Sequence, residues 1–353
     1  MKKIAYIELD THAEIALNFM ELMNDSKVFS VDYYFSEKIL RFFGFAQNDK
    51  LPENIKNATP ENLIQQLSTD NYQLIIIGTV HRYFNVFEKV AEKFNTSIIC
   101  HNLNFVKVAN FDLLSSIFKE DYQFRLKLLL KEGLLRKSNV YKKAKNLLVL
   151  DRGFDSAQPD KYKFLPIFYT KFSENSDNPI FTIVIPGAVS QKRRDYEGIL
   201  KSIKIFHFLF EIIFLGKAQG KELEILQNFE QSKPENISIK YFTEKVPQDV
   251  FDNFMQKADI LWCPIQQETE FFSQKEIYGV TKMSGNIGDA IKYGKLAIFP
   301  ENYPSKYAFI IPEIDNIEAQ LYTQQKHLEY DFQGNFGKEK VLKQLEKTIF
   351  ALL

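Results

Sequence analysis

The sequence predicts an α/β protein made of two domains, each a doubly wound parallel sheet, and three observations support this. Short apolar runs rich in β-branched residues alternate with amphipathic helical segments along both halves of the chain. A polar stretch with three prolines, residues 151–179, interrupts the alternation near the middle. The length of 353 residues exceeds what one hydrophobic core usually organises. We therefore expect Rossmann-like domains at residues 1–170 and 171–353, facing each other across a cleft.

The N-terminal half contains short apolar runs that predict buried strands. Each is bounded by turn-forming residues, and the runs cover residues 4–9, 72–81, 96–105 and 146–153. A helix is predicted over residues 12–23, where Thr11 and Glu14 form a capping box. Strands that alternate with helices indicate parallel pairing.

The C-terminal half repeats this alternation. Five apolar runs predict strands, and they cover residues 180–187, 211–216, 237–242, 258–265 and 296–300. Helical segments separate them, and an amphipathic helix over residues 338–353 closes the chain. The two halves therefore predict domains of similar size and similar rhythm.

Composition excludes several classes of protein. The chain has 45 basic and 45 acidic side chains, so its net charge is zero and we expect no nucleic-acid partner. Cys100 and Cys263 follow strand-like runs far apart in sequence, which predicts two buried, reduced thiols. No window reaches the ~18 uncharged apolar residues of a membrane span, and the N-terminus is typical of a strand rather than a signal peptide. We expect a cytoplasmic protein.

A basic loop follows the first strand of the second half. Gly187 ends that strand, and Lys192, Arg193 and Arg194 precede the next helix. Glycine lets backbone approach a ligand closely, and guanidinium groups match phosphate oxygens with a planar fork of donors. Ligands of doubly wound sheets bind at the carboxyl ends of the strands, so this position favours phosphate binding. The alternative is a solvated basic loop.

A second candidate site is the helix entrance in the stretch KMSGNIGDAIKYG, residues 282–294. The backbone N–H groups freed at a helix start, with Ser284 and Gly285, predict an anion site, and Lys282 adds positive charge. Asp289, about one turn further in, can accept hydrogen bonds from sugar hydroxyls. The alternative is a helix cap followed by an exposed aspartate.

Three histidines end predicted strands of the first half. His12, His81 and His101 should meet at the rim of the cleft, where an imidazole can bind a sugar hydroxyl or exchange a proton. A hydrogen-bonded structural histidine is the alternative for each. No His/Cys group has zinc spacing and no D-x-D motif occurs, so we expect no metal.

The Leu- and Lys-rich segment 124–146 has two interpretations. Its composition is typical of a basic helix lying at a membrane surface, which would suit a lipid-linked acceptor and a peripheral position on the inner membrane face. It is equally typical of a core-facing helix with a solvated lysine face, and we favour the latter.

The C-terminal half also resembles a known family. The segments IPGAVSQKRRDYEGILKSI, FEIIFLG, IKYFTEKVPQDVFDNFMQKADILWCPI and GNIGDAIKYGKLAIFP follow in order and spacing the donor domain of GT-B glycosyltransferases, in particular the large retaining family four. The resemblance covers about residues 180–301. The N-terminal half resembles the family only in its alternation of strands and helices.

The resemblance implies roles for particular residues. In the family, a glycine and basic residues hold the nucleotide diphosphate, here Gly187 with Arg193 and Arg194. The segment after the third donor-domain strand lines the base pocket, here Phe242 to Val246, with Thr243 and Val246 as the candidate contacts.

Two family glutamates eight residues apart contact the donor, and this chain departs from both. The second, which contacts the ribose, corresponds to Asp289, and the first corresponds to Thr281. Ala188 also stands where an arginine often follows the glycine. Glu276, upstream of the motif, is our candidate for the missing sugar contact.

These observations and the resemblance predict a glycosyltransferase. A nucleotide-diphosphate sugar would bind in the C-terminal domain as a substrate, with no cofactor, and a glycan or lipid-linked acceptor in the N-terminal domain. Catalysis would depend on Arg194, Arg193, His101 and His12. Bacterial surface polysaccharide synthesis is the setting implied by the resemblance. The alternatives are a nucleotide-sugar epimerase on the same fold and a non-catalytic nucleotide-sugar-binding relative.

Overall fold

The computed structural model describes residues 1–47, 49–117, 119, 121–157, 160–172, 178–327 and 330–353. Its first sheet has seven parallel strands in the order β3-β2-β1-β4-β5-β6-β7. These strands are β1 Lys2–Glu8, β2 Phe29–Phe35, β3 Ile55–Asn57, β4 Leu74–Ile77, β5 Thr96–Ile99, β6 Asn146–Val149 and β7 Tyr162–Phe164.

The second sheet has six parallel strands in the order β10-β9-β8-β11-β14-β15, and an antiparallel hairpin, β12-β13, is inserted before its fifth strand. The strands are β8 Phe181–Pro186, β9 Phe210–Lys217, β10 Ile237–Phe242, β11 Ile260–Trp262, β12 Glu268–Phe271, β13 Gln274–Ile277, β14 Ala297–Phe299 and β15 Ile310–Pro312. The predicted pair of doubly wound parallel sheets is confirmed.

Helices cover both faces of the two sheets. They are α1 Ala13–Met23, α2 Glu37–Phe42, α3 Leu63–Leu67, α4 Phe84–Lys93, α5 Leu103–Lys107, α6 Asn110–Ser116, α7 Tyr122–Lys131, α8 Lys137–Lys143, α9 Arg152–Ala157, α10 Tyr196–Ile203, α11 Gly220–Ser232, α12 Gln248–Lys257, α13 Gly285–Tyr293, α14 Ile317–His327, α15 Phe332–Phe336 and α16 Lys338–Phe350, with a short 3-10 turn at Leu134–Arg136.

Burial on both faces explains the strand sequences. Every residue of β8 and β4 is buried, because helices pack against both sides of the sheet. Alternate residues of each strand therefore enter different cores: Ile183 and Ile185 pack in one cluster, and Val184 packs in the other. This is why these segments are continuous apolar runs rather than alternating ones.

The last helix, α16, returns to the first sheet. Val341, Leu345 and Ile349 lie in the same core cluster as Phe19 and Leu22 of α1. The chain therefore crosses between the two sheets twice, once between β7 and β8 and once before α16. A domain boundary at residue 170 stays a prediction, since α16 lies in the predicted second domain but packs against the first sheet.

The predicted capping box at the start of α1 is wrong. The residue at the cap is His12, whose side chain makes no capping bond, and the Thr11 hydroxyl is buried without a partner. The Glu8 carboxylate instead accepts the backbone N–H groups of Asp10 and Thr11, at 3.1 and 3.2 Å. A buried acceptor at the end of β1 thus replaces the local cap.

Across the part of the chain that the structure describes, no helix combines the length and apolar character needed to cross a membrane. Cys100 and Cys263 are both buried and unbridged, as expected.

Candidate functional site

A cavity of ≈ 1080 Å³ lies between the two sheets. His12 and His101 line it from the N-terminal side, at the ends of β1 and β5. Lys282, Gly285 and Asp289 line it from the C-terminal side, at the start of α13. The ends of parallel strands from both sheets therefore face one space, which is where doubly wound folds bind ligands.

The start of α13 is open to this cavity. Ser284 caps the helix by accepting the backbone N–H of Asn286 at 3.3 Å. No heavy atom lies within 4 Å of the position that a Cβ on Gly285 would take. A ligand can therefore approach the backbone N–H groups of the first turn, which carry the partial positive charge of the helix.

Arg194 connects the basic loop to this helix. Its Nη2 donates to Asn286 Oδ1 at 3.2 Å and its Nη1 to the Ala188 carbonyl at 3.3 Å, while its buried Nε has no partner. Gly187 makes room for it, because a Cβ there would lie 2.3 Å from Nη2. The positive φ of 104° at Gly187 also excludes most other residues. The glycine thus accommodates the guanidinium group directly.

Asp289 completes a short network on α13. Asn286 donates from Nδ2 to Asp289 Oδ2 at 3.2 Å and to the Pro186 carbonyl at 3.4 Å. Burial raises the pKa of Asp289 to about 6, although Asn286, Lys292 and Arg194 all favour its charged form. Such a carboxyl group regains favourable contacts when a ligand hydroxyl donates to it. Asn286 was not among the predicted site residues; its signal is a polar residue in the buried first turn of a predicted anion-binding helix.

Lys282 reaches across the cleft to the other domain. Its Nζ donates to Asn102 Oδ1 at 2.7 Å, and Asn102 lies 3.3 Å from His81 Nε2. Burial lowers the pKa of Lys282, and the nearby Arg193 guanidinium lowers it further. The ammonium group therefore joins the two walls of the cleft at the position where α13 begins.

Glu276 and Thr281 lie outside the cavity lining. The Glu276 carboxylate is fully buried and accepts the backbone N–H groups of Phe105, at 2.8 Å, and Asn104, at 3.3 Å. Burial raises its pKa, and these hydrogen bonds partly offset the effect. Thr281 accepts the backbone N–H of Ile277 at 2.8 Å. The carboxylate thus joins the β12-β13 hairpin to the start of α5 and does not face the cleft.

The remaining predicted donor residues are more exposed. Val246 lines the cavity, whereas Thr243, Lys192 and Arg193 are absent from its lining, and all three are exposed. The structure therefore places Lys282, Gly285 and Asp289 in the cavity lining at α13. Arg194 is not part of the lining and contacts α13 through Asn286.

The two predicted histidines are stacked at the N-terminal wall. The rings of His12 and His101 lie 3.8 Å apart and 12° from parallel. His12 has a left-handed backbone, with φ 60°, a conformation uncommon outside glycine and enriched at functional sites. Its Nδ1 donates to Glu14 Oε1 at 3.1 Å, which leaves Nε2 as the proton acceptor of the neutral ring.

His101 is held in one tautomer by the backbone. Its Nε2 donates to the Gly78 carbonyl at 2.8 Å, so Nδ1 is the acceptor of the neutral ring. Burial, together with the neighbouring His12 and His81, lowers the pKa of His101 well below its usual value. The His101 ring is therefore a neutral imidazole at neutral pH.

Glu8 lies behind this pair and was not predicted as a site residue. It is fully buried, and Thr79 donates its hydroxyl hydrogen to Glu8 Oε2 at 2.7 Å. Burial raises the pKa of Glu8 to about 7, and the hydrogen bonds from Thr79 and the backbone only moderate this. Thr79 Oγ1 is also 3.5 Å from His101 Nε2. The side chain of Thr79 therefore connects the Glu8 carboxyl group to the His101 imidazole.

The basic segment 124–146 is not one helix. Lys137 is fully buried and donates to the carbonyls of Phe105, Val106 and Val108 at 2.7, 3.1 and 2.8 Å. Burial lowers its pKa to about 8. Arg136 and Lys143 both pair with Glu88 at 2.8 Å. The C-terminal part of the segment is therefore structural, but Lys137 is buried rather than on the solvated lysine face that the favoured interpretation predicted.

Exposed apolar residues concentrate between residues 111 and 135, in the helices α6 and α7 and the turn that follows. Seven of the fifteen large hydrophobic side chains exposed in the described chain lie between residues 111 and 135: Phe111, Leu114, Tyr122, Phe124, Leu126, Leu130 and Leu135. We call these seven residues the α6–α7 face. Among the residues described, no group of three or more His, Cys, Asp or Glu side chains is arranged to hold a metal ion.

Sequence comparison and structure comparison differ sharply. No protein-family model matches the sequence, and no curated protein sequence matches it. Sucrose-phosphate synthase from Thermosynechococcus elongatus superposes with a TM-score of 0.60 at 12% identity, covering 100% of both chains. Anabaena HepE in complex with UDP and glucose gives 0.57 at 10% identity, covering 99% of this chain and 100% of that one.

A third similar structure is UDP-GlcNAc 2-epimerase from Neisseria meningitidis bound to UDP-GlcNAc, with a TM-score of 0.53 at 12% identity and coverage of 99% and 100%. At such identities the likeness establishes the fold alone. The chain therefore has the GT-B architecture that its sequence predicted.

Proposed function

We propose that the protein is a glycosyltransferase that moves a sugar from a nucleotide-diphosphate sugar to a glycan or lipid-linked acceptor. One observation carries the proposal: Asp289, which Asn286 links by hydrogen bonds to Arg194, lines the same cleft as the stacked imidazoles of His12 and His101. Structures of the same fold hold UDP with glucose or UDP-GlcNAc. Bacterial surface polysaccharide synthesis, in a cytoplasmic enzyme related to the retaining family four, is the setting we propose.

The donor would bind at the carboxyl ends of the second sheet. The diphosphate would lie at the start of α13, where Ser284 and Gly285 open the first turn and Arg194 supplies the guanidinium group. Asp289 would accept hydrogen bonds from the ribose hydroxyls. Thr243 and Val246 would border the base. Lys192, Arg193 and Lys282 would add positive charge around the same phosphates.

The chemistry needs two kinds of group. The acceptor oxygen forms a bond to the anomeric carbon, the bond from that carbon to the diphosphate oxygen breaks, and the acceptor hydroxyl loses its proton. We assign that proton to His12 Nε2, because Glu14 orients the ring through Nδ1. Negative charge grows on the departing diphosphate, where Arg194 and the start of α13 stabilise it.

We also propose that transfer requires no divalent metal. The positive charge facing the diphosphate would come from Arg194, Lys282 and the N–H groups of α13. Full activity in the presence of EDTA is the expected result. Activity that disappears with EDTA and returns with Mn²⁺ would contradict this part of the proposal.

Calorimetric titration with UDP, ADP, GDP and dTDP tests the donor site directly. We expect one of them to bind and its sugar conjugate to raise the melting temperature, since a ligand of the folded state stabilises it. Transfer is then followed by NMR with that nucleotide sugar and a panel of glycosides. Failure of all four diphosphates to bind would overturn the proposal.

A nucleotide-sugar epimerase is the second candidate. Its support is Glu8, a buried carboxyl group with a raised pKa beside His12 and His101, and the epimerase among the similar folds. An epimerase moves a proton on the sugar ring, so the donor alone in D₂O should give a new epimer containing deuterium. A transferase gives free nucleoside diphosphate only when an acceptor is added, and a non-catalytic relative gives neither product.

The α6–α7 face supports a peripheral contact with an anionic membrane. Phe111 and Leu130 are 80% and 73% exposed, and the lysines around them are exposed as well, at positions 107, 119, 127 and 131. Apolar side chains inserted among lipid headgroups and lysines that attract anionic lipids act together in such contacts. A lipid-linked acceptor would be reached from this position.

Vesicle sedimentation tests the contact. We expect binding to phosphatidylcholine vesicles that contain phosphatidylglycerol, and its loss in Leu130→Ser. Ile205→Ser is the matched control, because Ile205 is 72% exposed on the other domain. Equal loss in both variants, or binding that ignores the anionic lipid, would contradict a specific membrane face.

A further inference from the structure

The interdomain cavity has an apolar arm that the donor does not explain. Six described lining residues form it, and none has a polar hydrogen-bonding group in its side chain apart from a weakly accepting thioether: Leu17, Met20, Phe42, Phe43, Phe45 and Ile55. They come from α1, from the end of α2 and the loop after it, and from β3. All belong to the N-terminal sheet and its helices, opposite the α13 wall.

The arm is continuous with the candidate catalytic wall. Helix α1 begins directly after His12, and its Glu14 and Asn18 line the cavity together with Leu17 and Met20. Residues three or four apart lie on the same side of a helix, so polar and apolar rows of α1 border one space. A molecule with its reactive hydroxyl at His12 would therefore extend along α1 into the arm.

Phe42 makes the arm unusual. Its side chain is 51% exposed and its ring contacts that of Phe43, which in turn contacts the fully buried Phe35. Phe43 and Phe45 pack only partly against that core. Ring faces left unburied at a cavity mouth mark a binding surface when they are contiguous.

The side chains of the arm determine which kind of ligand group can bind there. A sugar in the arm would bring several hydroxyls to side chains that offer them no partner, and unpaired polar groups are costly to bury. An alkyl or aryl group there loses no hydrogen bonds and removes apolar surface from water. We infer that the acceptor carries an apolar alkyl or aryl group next to the hydroxyl that receives the sugar, and that this group binds in the arm. The inference rests on the proposed function and specifies its acceptor.

A chain-length series tests it without knowledge of the natural acceptor. Methyl, butyl, hexyl and octyl β-D-glucopyranosides, all below their micelle concentrations, are titrated into the whole protein by calorimetry, with UDP titrated separately. We expect affinity to rise from methyl to octyl by at least about tenfold, since each methylene added inside an apolar pocket strengthens binding severalfold. Phe42→Ser should remove most of that rise, and Phe42→Leu should keep it.

The control separates the arm from general surface hydrophobicity. Phe208→Ser removes another exposed phenylalanine, 39% exposed on the C-terminal domain, and should leave the series unchanged. A flat series in the natural protein, or a rise that Phe42→Ser leaves intact, would overturn the inference. The donor titration reports on the proposed function separately: loss of nucleotide binding refutes the glycosyltransferase, whereas a flat glycoside series with normal nucleotide binding refutes only the apolar acceptor.

Discussion

The two walls of the cleft have the same topology and opposite chemistry. Each lies at the point where a doubly wound parallel sheet changes direction, beside β1 and β4 in one sheet and beside β8 and β11 in the other. The C-terminal wall presents a lysine, an aspartate and an open helix start, and the Arg194 guanidinium group is hydrogen-bonded to Asn286 of that helix. The N-terminal wall presents the stacked imidazoles of His12 and His101 and an apolar arm, and the Glu8 carboxyl group is buried next to it.

Under the proposed function, the two walls would divide the reaction between them. A site for a diphosphate needs donors and positive charge, which solvated loops and helix starts supply. A site that removes a proton needs a base whose proton affinity is adjusted by its surroundings, and burial does this. The turns after the strands, rather than the strands themselves, decide which task each wall serves.

Replacement of His12 is expected to have the largest effect. His12→Asn retains a residue that tolerates the left-handed backbone but removes the proton acceptor, so turnover should fall about 10²- to 10⁴-fold. Donor binding should change little, because the loss is on the other wall. Steady-state kinetics with the nucleotide titration measure both, and His207→Asn, at an exposed position, is the control. Turnover within a factor of two would remove His12 from the mechanism.

Arg194 tests the opposite wall. Arg194→Ala should lower turnover about 10²- to 10³-fold, because charge on the leaving diphosphate loses its fixed donor. Arg194→Lys should recover only part, since an ammonium group lacks the planar fork. Exposed Arg193 is the comparison within the same loop, and its alanine variant should lose much less. Equal effects at both positions would mean that general positive charge, not the contact to Asn286, is what matters.

Asp289 should affect binding more than turnover. Loss of a charged hydrogen bond costs about 1.5–3 kcal/mol, so Asp289→Ala should weaken nucleoside diphosphate binding roughly 10- to 150-fold. Because the pKa of Asp289 is about 6, the natural protein should bind more weakly as pH falls through 6, and the variant should lack this dependence. Calorimetry between pH 5 and 8 measures both effects, and unchanged affinity would exclude the ribose contact.

Replacement of Glu8 should have the smallest effect on nucleotide affinity. Its effect should be seen in how the free energy of unfolding depends on pH. Its pKa is raised from 4.5 to about 7 in the folded protein, so the folded state binds more protons than the unfolded state between these values. Stability contributed by this group is complete below about pH 4.5 and falls as pH rises to 7, by roughly 3 kcal/mol. Glu8→Gln should remove that decline.

Urea unfolding at pH 5, 6, 7 and 8 tests this. The difference between the two stability curves isolates Glu8 from the histidines, whose lowered pKa values change stability in the opposite direction. Parallel curves would show that the Glu8 carboxyl group does not titrate in this range.

The sequence alone determined the fold class and the start of α13. Both depend on local pattern: apolar runs buried on two faces, and a Ser-Gly pair that opens a helix. Strands without such a local pattern were not predicted. In β2, Val31–Phe35 follows no clear alternation of apolar and polar residues. The β12-β13 hairpin is half exposed and therefore contains no apolar run. Arg194 was predicted from the sequence to bind phosphate. That its guanidinium group packs against Gly187 follows from the backbone conformation of Gly187, which the sequence does not show.

Only the tertiary structure decided how the distant groups combine. Glu276, expected at the sugar, instead binds the backbone of residues 104 and 105, more than 170 positions away in sequence. His12 and His101 became a stacked pair, and Glu8 acquired a raised pKa, because β1, β4 and β5 are neighbours in the sheet. Burial and long-range contacts set these properties, and neither can be read from residue spacing, since desolvation depends on everything that packs around a group.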